Sequence, residues 1–337
     1  MSRAANSPGS WSVMSSVSVV IACDSRARSI PGCLDSVLAQ TGVDVEVLLV
    51  DQGSNDWTSA VVAAAARTDP RVRVVLCRNG GGTPSIADAL ACASGDLTML
   101  LNVDDRLAPG ALARAAGVLA MHPKVGMVYG GSLPFDSDDA MPSARMQTVM
   151  PEVWQGREWI AERCRTASMG IASARAVVRT TLERELGDGC AAPLPDEALA
   201  RCLRLAVRAD IVFLRGVDQT YVVAALNVAA RPGQGSPIED LRLRKATFDA
   251  LFAVDGRDLP GAEGLHAMAN RALAREAISV AGRGDGSELA DEWSAELEVF
   301  AAQAYADAGA FPRRRTMPWR RRARAKLRLG HGERCRG

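Results

Sequence analysis

The chain has 337 residues, of which 48% are hydrophobic and 23% are charged, and this composition is typical of a globular protein of about two domains. No apolar run approaches the ~18 residues that a membrane span needs, so we expect no spanning segment. The formal net charge of +1 conceals an asymmetry, because residues 311–337 hold eleven of the 40 Lys and Arg but one of the 39 Asp and Glu. The rest of the chain is therefore acidic.

The cysteine and histidine content excludes two kinds of chemistry. None of the eight Cys forms a C-x-x-C pair, which favours free thiols in a reducing cytosol over a zinc site or a disulfide framework. None of the three His stands beside a plausible nucleophile in the sequence, so a Ser-His-Asp mechanism is not expected. We therefore expect a cytoplasmic protein that is neither a zinc protein nor a triad hydrolase.

After a lead-in over 1–16 that we expect to be disordered, strand and helix signals alternate along the chain. Apolar, β-branched runs predict strands at 17–22, 45–50, 72–76, 97–103 and 125–129. Apolar residues at helical spacing predict helices between them, at 30–40, 57–67, 85–93 and 109–122. This alternation predicts right-handed βαβ units and an α/β fold with a mainly parallel, Rossmann-like sheet flanked by helices.

Beyond residue 130 the pattern is less regular. Helices are predicted at 154–165, 174–186 and 196–209, and a strand at 211–214. The segment 166–172 between the first two of these helices is either an edge strand or a substrate-facing turn. Pro and Gly at 231–237 mark a linker. The predicted organisation is an α/β domain over 17–230, a helical C-terminal region over 237–310 and a basic tail over 311–337.

Carboxylates follow two of the predicted strands. The strand at 97–103 runs directly into Asp104 and Asp105, and the strand at 45–50 runs into Asp51. Two adjacent carboxylates repel unless water or a cation relieves them, so this pair is either a solvated acidic turn or a site for a hard cation carrying a diphosphate. Because ligands of doubly wound sheets bind at the carboxyl ends of the strands, both acidic ends would line one crevice, which suits a sugar nucleotide.

Four blocks of sequence resemble one known family. The runs VSVVI (17–21), PGCLDSVLAQT (31–41) and EVLLVDQGSNDWT (46–58) match its opening strand, its "cl-SvLaQt" helix and its "E-v-i-v-V-D-D-G-S-t-D-x-T" block. Residues 79–105 keep its spacing up to the D-x-D signature. Residues 17–130 thus resemble the nucleotide-binding half of a family 2 glycosyltransferase of the GT-A fold, and a weaker match continues to about residue 225.

The resemblance implies a role for each residue of the crevice. It implies a divalent Mg or Mn ion on Asp105, and contact of Asp104 with the donor ribose or phosphate. Asp51 would line the nucleotide pocket together with Gln52 and Cys23. The donor would be a UDP-, dTDP- or GDP-linked sugar, and the acceptor a glycan, a lipid-linked molecule or a small molecule. The implied reaction is sugar transfer with inversion, in which the metal assists departure of the diphosphate.

The resemblance also implies a carboxylate base that takes the proton of the acceptor hydroxyl. Members carry an acid pair whose Asp stands six positions before an Arg, and counting back from Arg204 this position is Ala198. The acids of this chain stand beside it, at Asp196 and Glu197. Either the helix start is offset, so that Glu197 or Asp196 serves as the base, or the base has been lost. Asp196 is equally suited to cap the helix that follows.

Other departures from the family pattern keep a second class of function open. Gln52 replaces an Asp, Asn102 replaces the first Asp of D-x-D, and Ile86 and Ala87 stand where the family has Arg-Asn. The alternative to an active enzyme is a catalytically impaired GT-A-like protein that binds nucleotide sugars or acts as a scaffold. A nucleotidyltransferase-like enzyme is a weaker option, because the glycine-rich loop it needs near the first strand is missing.

The basic tail over 311–337 is open to two interpretations. Its Arg and Lys are interleaved with Trp319, Leu327 and Leu329, a pattern that suits docking on an anionic membrane surface, where lipid-linked acceptors reside. The alternative is a disordered, solubilising tail. Binding of nucleic acid is not expected, because the body of the chain is acidic and the tail offers no aromatic platform.

Overall fold

A computed structural model of the chain describes residues 15–23, 25–54, 56–75, 85–135, 142–144, 151–167, 175–186, 197–223, 237–282 and 288–309. The basic tail, most of the lead-in and Asp196 lie outside these ranges. Within them the strands are β1 (Ser16–Cys23), β2 (Asp44–Asp51), β3 (Val72–Val74), β4 (Leu97–Asn102), β5 (Arg106–Leu107), β6 (Val125–Phe135), β7 (Glu152–Trp154), β8 (Val177–Arg179) and β9 (Asp210–Val223).

The described strands form one sheet with the order β3-β2-β1-β4-β8-β6-β9-β5, and β7 pairs with β9. The β3-β2-β1-β4 half is parallel, as the alternating pattern predicts. Beyond β4 the sheet is mixed, because β8 runs antiparallel to both of its neighbours while β6 and β9 are parallel to each other. The architecture is therefore an α/β sheet whose first half is Rossmann-like.

The helices of the described chain are α1 (Ile30–Leu38), α2 (Thr58–Thr68), α3 (Ile86–Cys92), α4 (Ala111–Met121), α5 (Gly156–Thr166), α6 (Thr180–Leu186), α7 (Glu197–Arg208), α8 (Pro237–Ala253), α9 (Ala262–Ala281) and α10 (Glu288–Asp307). Among the described residues, none of these helices is both long and apolar enough to cross a bilayer. The last three build the helical C-terminal region.

Helices cover both faces of the parallel strands, which explains why these strands are apolar at nearly every position. Val17, Val19 and Ile21 of β1 pack into one apolar core. Val20, between them in sequence, packs into another core on the opposite face. A third core joins α5 and α7 to the C-terminal helices. The sheet therefore buries apolar side chains on both of its faces.

The helix predicted over 174–186 is wrong in its first half. Residues Val177–Arg179 form β8, and the helix begins only at Thr180. This short strand fills the place between β4 and β6, and both Val177 and Val178 are buried there. Tertiary pairing overrides the local helical pattern at this point, and two β-branched residues suit the pleated environment.

Glu46 ties the amino ends of β1, β2 and β4 together. Its carboxylate accepts hydrogen bonds from the Ser18 hydroxyl and from the backbone amides of Ser94 and Gly95. Burial raises the pKa of Glu46, but these three donors outweigh burial and leave the pKa below its ordinary value. The ionised carboxylate therefore stabilises the fold more than the protonated form does.

We expect Glu46→Gln to destabilise the chain by about 1–3 kcal/mol at pH 7, since hydrogen bonds to a charged acceptor are lost. A group whose pKa is depressed by folding contributes stability above its unfolded pKa, about 4.3 for Glu, and loses it as the pH falls through the lower folded value. The difference in the free energy of unfolding between Glu46→Gln and the unmodified chain should therefore shrink in acid. Urea unfolding from pH 7 down to pH 3 measures it, and a constant difference would contradict this role.

Candidate functional site

The carboxyl ends of β1, β2 and β4 lie side by side at one edge of the sheet. Cys23, the last residue of β1, is paired with Asp51 of β2, and Ala22 is paired with Asn102 of β4. Asp104 and Asp105 follow Asn102 directly. The structure thus brings the two acidic strand ends to the same edge, as the strand pattern predicts.

Asp51 is held by the loop and the helix that follow its own strand. Its carboxylate accepts hydrogen bonds from the Ser54 amide, at 3.0 Å, and from the Ser59 hydroxyl. Burial raises the pKa of Asp51, but these hydrogen bonds outweigh it, so that the pKa lies below its ordinary value. Asp51 is therefore an ionised, oriented acceptor at the edge, able to bind a hydroxyl or an N–H of a ligand.

The two other predicted nucleotide contacts are placed differently. Gln52 is exposed, and its backbone amide donates to the carbonyl of Cys23 at 3.2 Å, which leaves its side chain directed to solvent. The side chain of Cys23 is fully buried in the apolar core, and burial raises its thiol pKa to about 12. Only the backbone of Cys23 reaches the edge, so a contact between its thiol and a nucleotide is not favoured by this arrangement.

The loop between β1 and α1 is fastened to the loop after β2. Ser25, with φ +47°, donates its backbone amide to the Ser54 hydroxyl at 3.1 Å. The next amide, of Arg26, donates to the hydroxyl of Thr58, also at 3.1 Å. Residues 25–29 therefore form an ordered rim above the strand ends.

The same rim holds Asp104. The Ser29 hydroxyl donates to Asp104 Oδ1 at 2.5 Å, and Arg26 Nε lies 3.7 Å from Asp104 Oδ2. Ser29 occupies the N-cap position of α1, yet its side chain makes no capping bond and serves Asp104 instead. The side chain of Asp104 is 17% exposed and that of Arg26 is 47% exposed, so a ligand in the crevice can reach both.

Asp105 is buried and paired with an arginine that the sequence does not point to. Its residue is only 3% exposed, and its carboxylate accepts from Arg175 Nε at 2.8 Å and from Arg175 Nη2 at 3.4 Å. The side-chain amide of Asn102 donates to it at 3.3 Å. Burial raises the pKa of Asp105, with Asp104 adding to the rise and Arg175 opposing it. Asp105 thus lies under the edge, while Asp104 faces outward.

This set of side chains does not fit a divalent cation on Asp105 as it stands. A metal ligand must offer a free oxygen lone pair in reach of the ion, whereas both oxygens of Asp105 already face the guanidinium of Arg175. Within the described ranges, no group of three or more His, Cys, Asp and Glu is arranged to hold a metal ion. The assignment of the metal to Asp105 stays a prediction that this pairing does not favour.

The predicted base lies at the border of the described chain. Helix α7 begins at Glu197, but the side chain of Glu197 and the whole of Asp196 lie outside the described residues. Arg204, from which the position of the base was counted, binds Asp255 at 2.9 Å and the carbonyl of Leu186 at 2.9 Å. It therefore joins α7 to α6 and to the C-terminal region.

Comparison with known proteins identifies the family. The family model described as "Glycosyl transferase family 2" matches residues 18–176. The succinoglycan biosynthesis protein ExoO of Rhizobium meliloti is 40% identical over 99 residues, which are 29% of this chain and 28% of ExoO. The chain spans less than half the length of the first curated relatives that it matches, with shares of 41%, 28% and 10%.

Two solved structures share the fold across most of the chain. TarS of S. aureus (residues 1–349) superposes with a TM-score of 0.60 and 16% identity, covering 86% of this chain and 80% of that one. The mannosyltransferase PcManGT of Pyrobaculum calidifontis, solved with GDP-Man and Mn²⁺, has a TM-score of 0.55 and 20% identity, covering 95% and 81%. The sheet order, the acidic strand ends and the family match converge: residues 18–176 are a glycosyl transferase family 2 region by their match to the family model, and the fold of the described chain is GT-A.

Proposed function

We propose that the chain is a glycosyltransferase that moves a sugar from a nucleotide-diphosphate donor to an acceptor hydroxyl with inversion at the anomeric carbon. One observation carries the proposal: Asp51 and Asp104 both lie at the carboxyl edge of parallel strands, and neighbouring residues orient each of them by hydrogen bonds. Oriented carboxylates at this edge suit the hydroxyls of a nucleotide ribose. The family match over residues 18–176 supports this use of the edge.

In this proposal, different crevice residues contact different parts of the donor. Asp51 and the exposed Gln52 contact the base or the ribose, and Asp104 accepts a hydrogen bond from a ribose hydroxyl. Ser29 keeps Asp104 in its orientation. Structures of TarS in complex with UDP and of PcManGT in complex with GDP-Man make uridine and guanosine donors the first to test, with dTDP-linked sugars beside them.

The chemical step needs a base and a stabilised leaving group. We assign the base to Glu197, with Asp196 as the alternative; it removes the proton from the acceptor hydroxyl as that oxygen attacks the anomeric carbon. A Mg or Mn ion, if bound, would supply positive charge that stabilises a departing diphosphate; PcManGT was solved with Mn²⁺. The acceptor class stays open among glycans, lipid-linked molecules and small molecules.

A binding or scaffold protein is the second candidate. The observation that favours it is the pairing of Asp105 with Arg175, because the family resemblance implies the metal ion on Asp105. Such a protein would bind nucleotide sugars and release no nucleotide diphosphate from them. Donor turnover therefore separates the two candidates, while donor binding is common to both.

We expect titration calorimetry with UDP, GDP and dTDP to detect binding of at least one, and Asp104→Ala to weaken it about 10-fold or more, since a charged hydrogen-bond acceptor is lost. Asp96→Ala is the matched control, because Asp96 stands at the opposite end of β4, bonded to Ser16 at 2.9 Å. Its affinity should equal that of the unmodified chain. Absence of binding for all three nucleotides, with and without Mn²⁺, would contradict the proposed function.

A further inference from the structure

Asp104 and Asp105 are each paired with a different arginine. Arg26 approaches Asp104 from the loop after β1, at 3.7 Å, and Arg175 binds Asp105 from the residues just before β8, at 2.8 Å. The two arginines come from distant parts of the chain, and Arg175 is 70 positions from Asp105. A repelling acidic pair that would otherwise require an external cation is thus neutralised by the protein itself.

Position 175 lies at the ligand-binding edge. Strand β8 is antiparallel to β4, with Val177 opposite Met99, so that residues before Val177 lie toward the carboxyl end of β4. Consecutive Cα atoms are about 3.8 Å apart, so the partners of Asp104 and Asp105 stand at neighbouring points of this edge. The side chain of Arg175 is 15% exposed and that of Arg26 is 47% exposed, so part of each remains accessible from solvent.

The charges then favour an anion over a cation. Asp104, Asp105 and their two guanidinium partners sum to zero, so this pair lacks the uncompensated negative charge that would attract a divalent ion. A diphosphate, in contrast, gains charge-assisted hydrogen bonds from guanidinium forks, which match phosphate oxygens in geometry. Asp105 keeps its place under the edge and orients Arg175.

We propose that Arg26 and Arg175 bind the diphosphate of the donor directly, so that donor binding does not require a divalent cation. Asp105 is then a positioning residue for Arg175 and not a metal ligand. This inference rests on the proposed function, because it concerns the same donor site. It differs from what the family resemblance implies, which is a metal ion on Asp105.

The test is calorimetry in EDTA and in Mn²⁺ with UDP, GDP and dTDP, each beside its nucleoside monophosphate. We expect binding of a diphosphate in EDTA with an affinity within about threefold of that in Mn²⁺. Arg175→Ala should weaken the diphosphate about 10- to 100-fold and the monophosphate much less, since a charged contact to the second phosphate is lost. Arg26→Ala should act in the same direction, and Arg175→Lys should restore part of the loss.

Two variants guard against a purely structural effect. Arg175→Ala leaves Asp105 buried without its partner, so Asp105→Asn combined with Arg175→Gln replaces the pair by neutral groups that can still hydrogen-bond. This double variant should keep the fold, as thermal unfolding checks, and still lose diphosphate affinity. Arg242→Ala is the matched control, because Arg242 forms an exposed ion pair with Glu296 in the C-terminal helices and should bind like the unmodified chain.

The outcomes separate this inference from the proposed function. If a diphosphate binds only with Mn²⁺ or Mg²⁺, and the arginine variants bind it normally, the arginine inference is overturned and the proposed function stands. If no nucleotide binds in any condition, both are overturned. Binding in EDTA that is lost in the arginine variants supports both.

Discussion

A methyl group at position 156 should destabilise the chain by at least about 3 kcal/mol, because overpacking against rigid backbone cannot relax. Gly156 is the buried first residue of α5, and a Cβ built on it would overlap the carbonyl oxygen of Ala206 and lie 2.5 Å from that of Ala209. The carbonyl of Ala209 cannot retreat easily, since the next residue, Asp210, is bonded through its amide to the carbonyl of Lys124. Urea unfolding of Gly156→Ala, followed by circular dichroism, measures the loss.

The matched control for this change lies in another helix. Gly117 is inside α4, and a Cβ built there meets nothing within 4 Å. Gly117→Ala should therefore stabilise the chain by roughly 0.5–1 kcal/mol through helix propensity and a restricted unfolded state. If Gly156→Ala unfolded at the same urea concentration as the unmodified chain, the close packing of α5 on α7 would be refuted.

This packing matters for function because it joins the sheet to the helical C-terminal region. The side chain of Arg157, the next residue of α5, donates to the carbonyl of Pro260 at 2.8 Å. Arg204 and Arg208 of α7 both bind Asp255; the side chains of Arg204 and Asp255 are each 14% exposed, and that of Arg208 is 29% exposed. These two ion pairs thus link α7 to the C-terminal region, and the less exposed Arg204–Asp255 pair is less weakened by salt than an exposed pair.

The parallel half of the fold and one side of the site could be predicted from the sequence. The strands around Val19, Leu48 and Leu100 are continuous apolar runs, and such runs between helical segments leave few arrangements other than a parallel sheet. Once the sheet is parallel, the residue that ends each strand is known, and Asp51 and Asp104 follow. Local pattern and global fold agree here, which is why the prediction holds.

The pairing partners could not be predicted, because they depend on contacts far apart in the sequence. Arg175 precedes a three-residue strand that local periodicity assigns to a helix, and only its insertion between β4 and β6 brings Arg175 to Asp105. Ser29 looks like a helix cap by its position, and only the fold turns its hydroxyl to Asp104. These contacts change the chemistry expected of Asp105, although its location at the edge agrees with the prediction.

The last large effect concerns the base. We expect Glu197→Gln to lower the turnover of nucleotide sugar by about 10²- to 10⁴-fold, the usual contribution of a general base, while the affinity for the nucleotide diphosphate is kept. Glutamine preserves the size and polarity of Glu197 but cannot take a proton from the acceptor hydroxyl. Initial rates of nucleotide release from UDP-, GDP- and dTDP-sugars, measured beside binding of the free diphosphate, separate catalysis from binding.

Three comparison variants decide how the result is read. Glu239→Gln removes an acid from the first turn of α8 and should leave turnover unchanged, which controls for the loss of charge at a helix start. Asp196→Asn should be nearly neutral if Glu197 is the base, whereas the reverse ranking would assign the base to Asp196. Full activity in both Glu197→Gln and Asp196→Asn would refute a base in this acid pair. Ala198→Asp then becomes informative, because a carboxylate at the position that the family uses should raise turnover only in a chain that had lost its base.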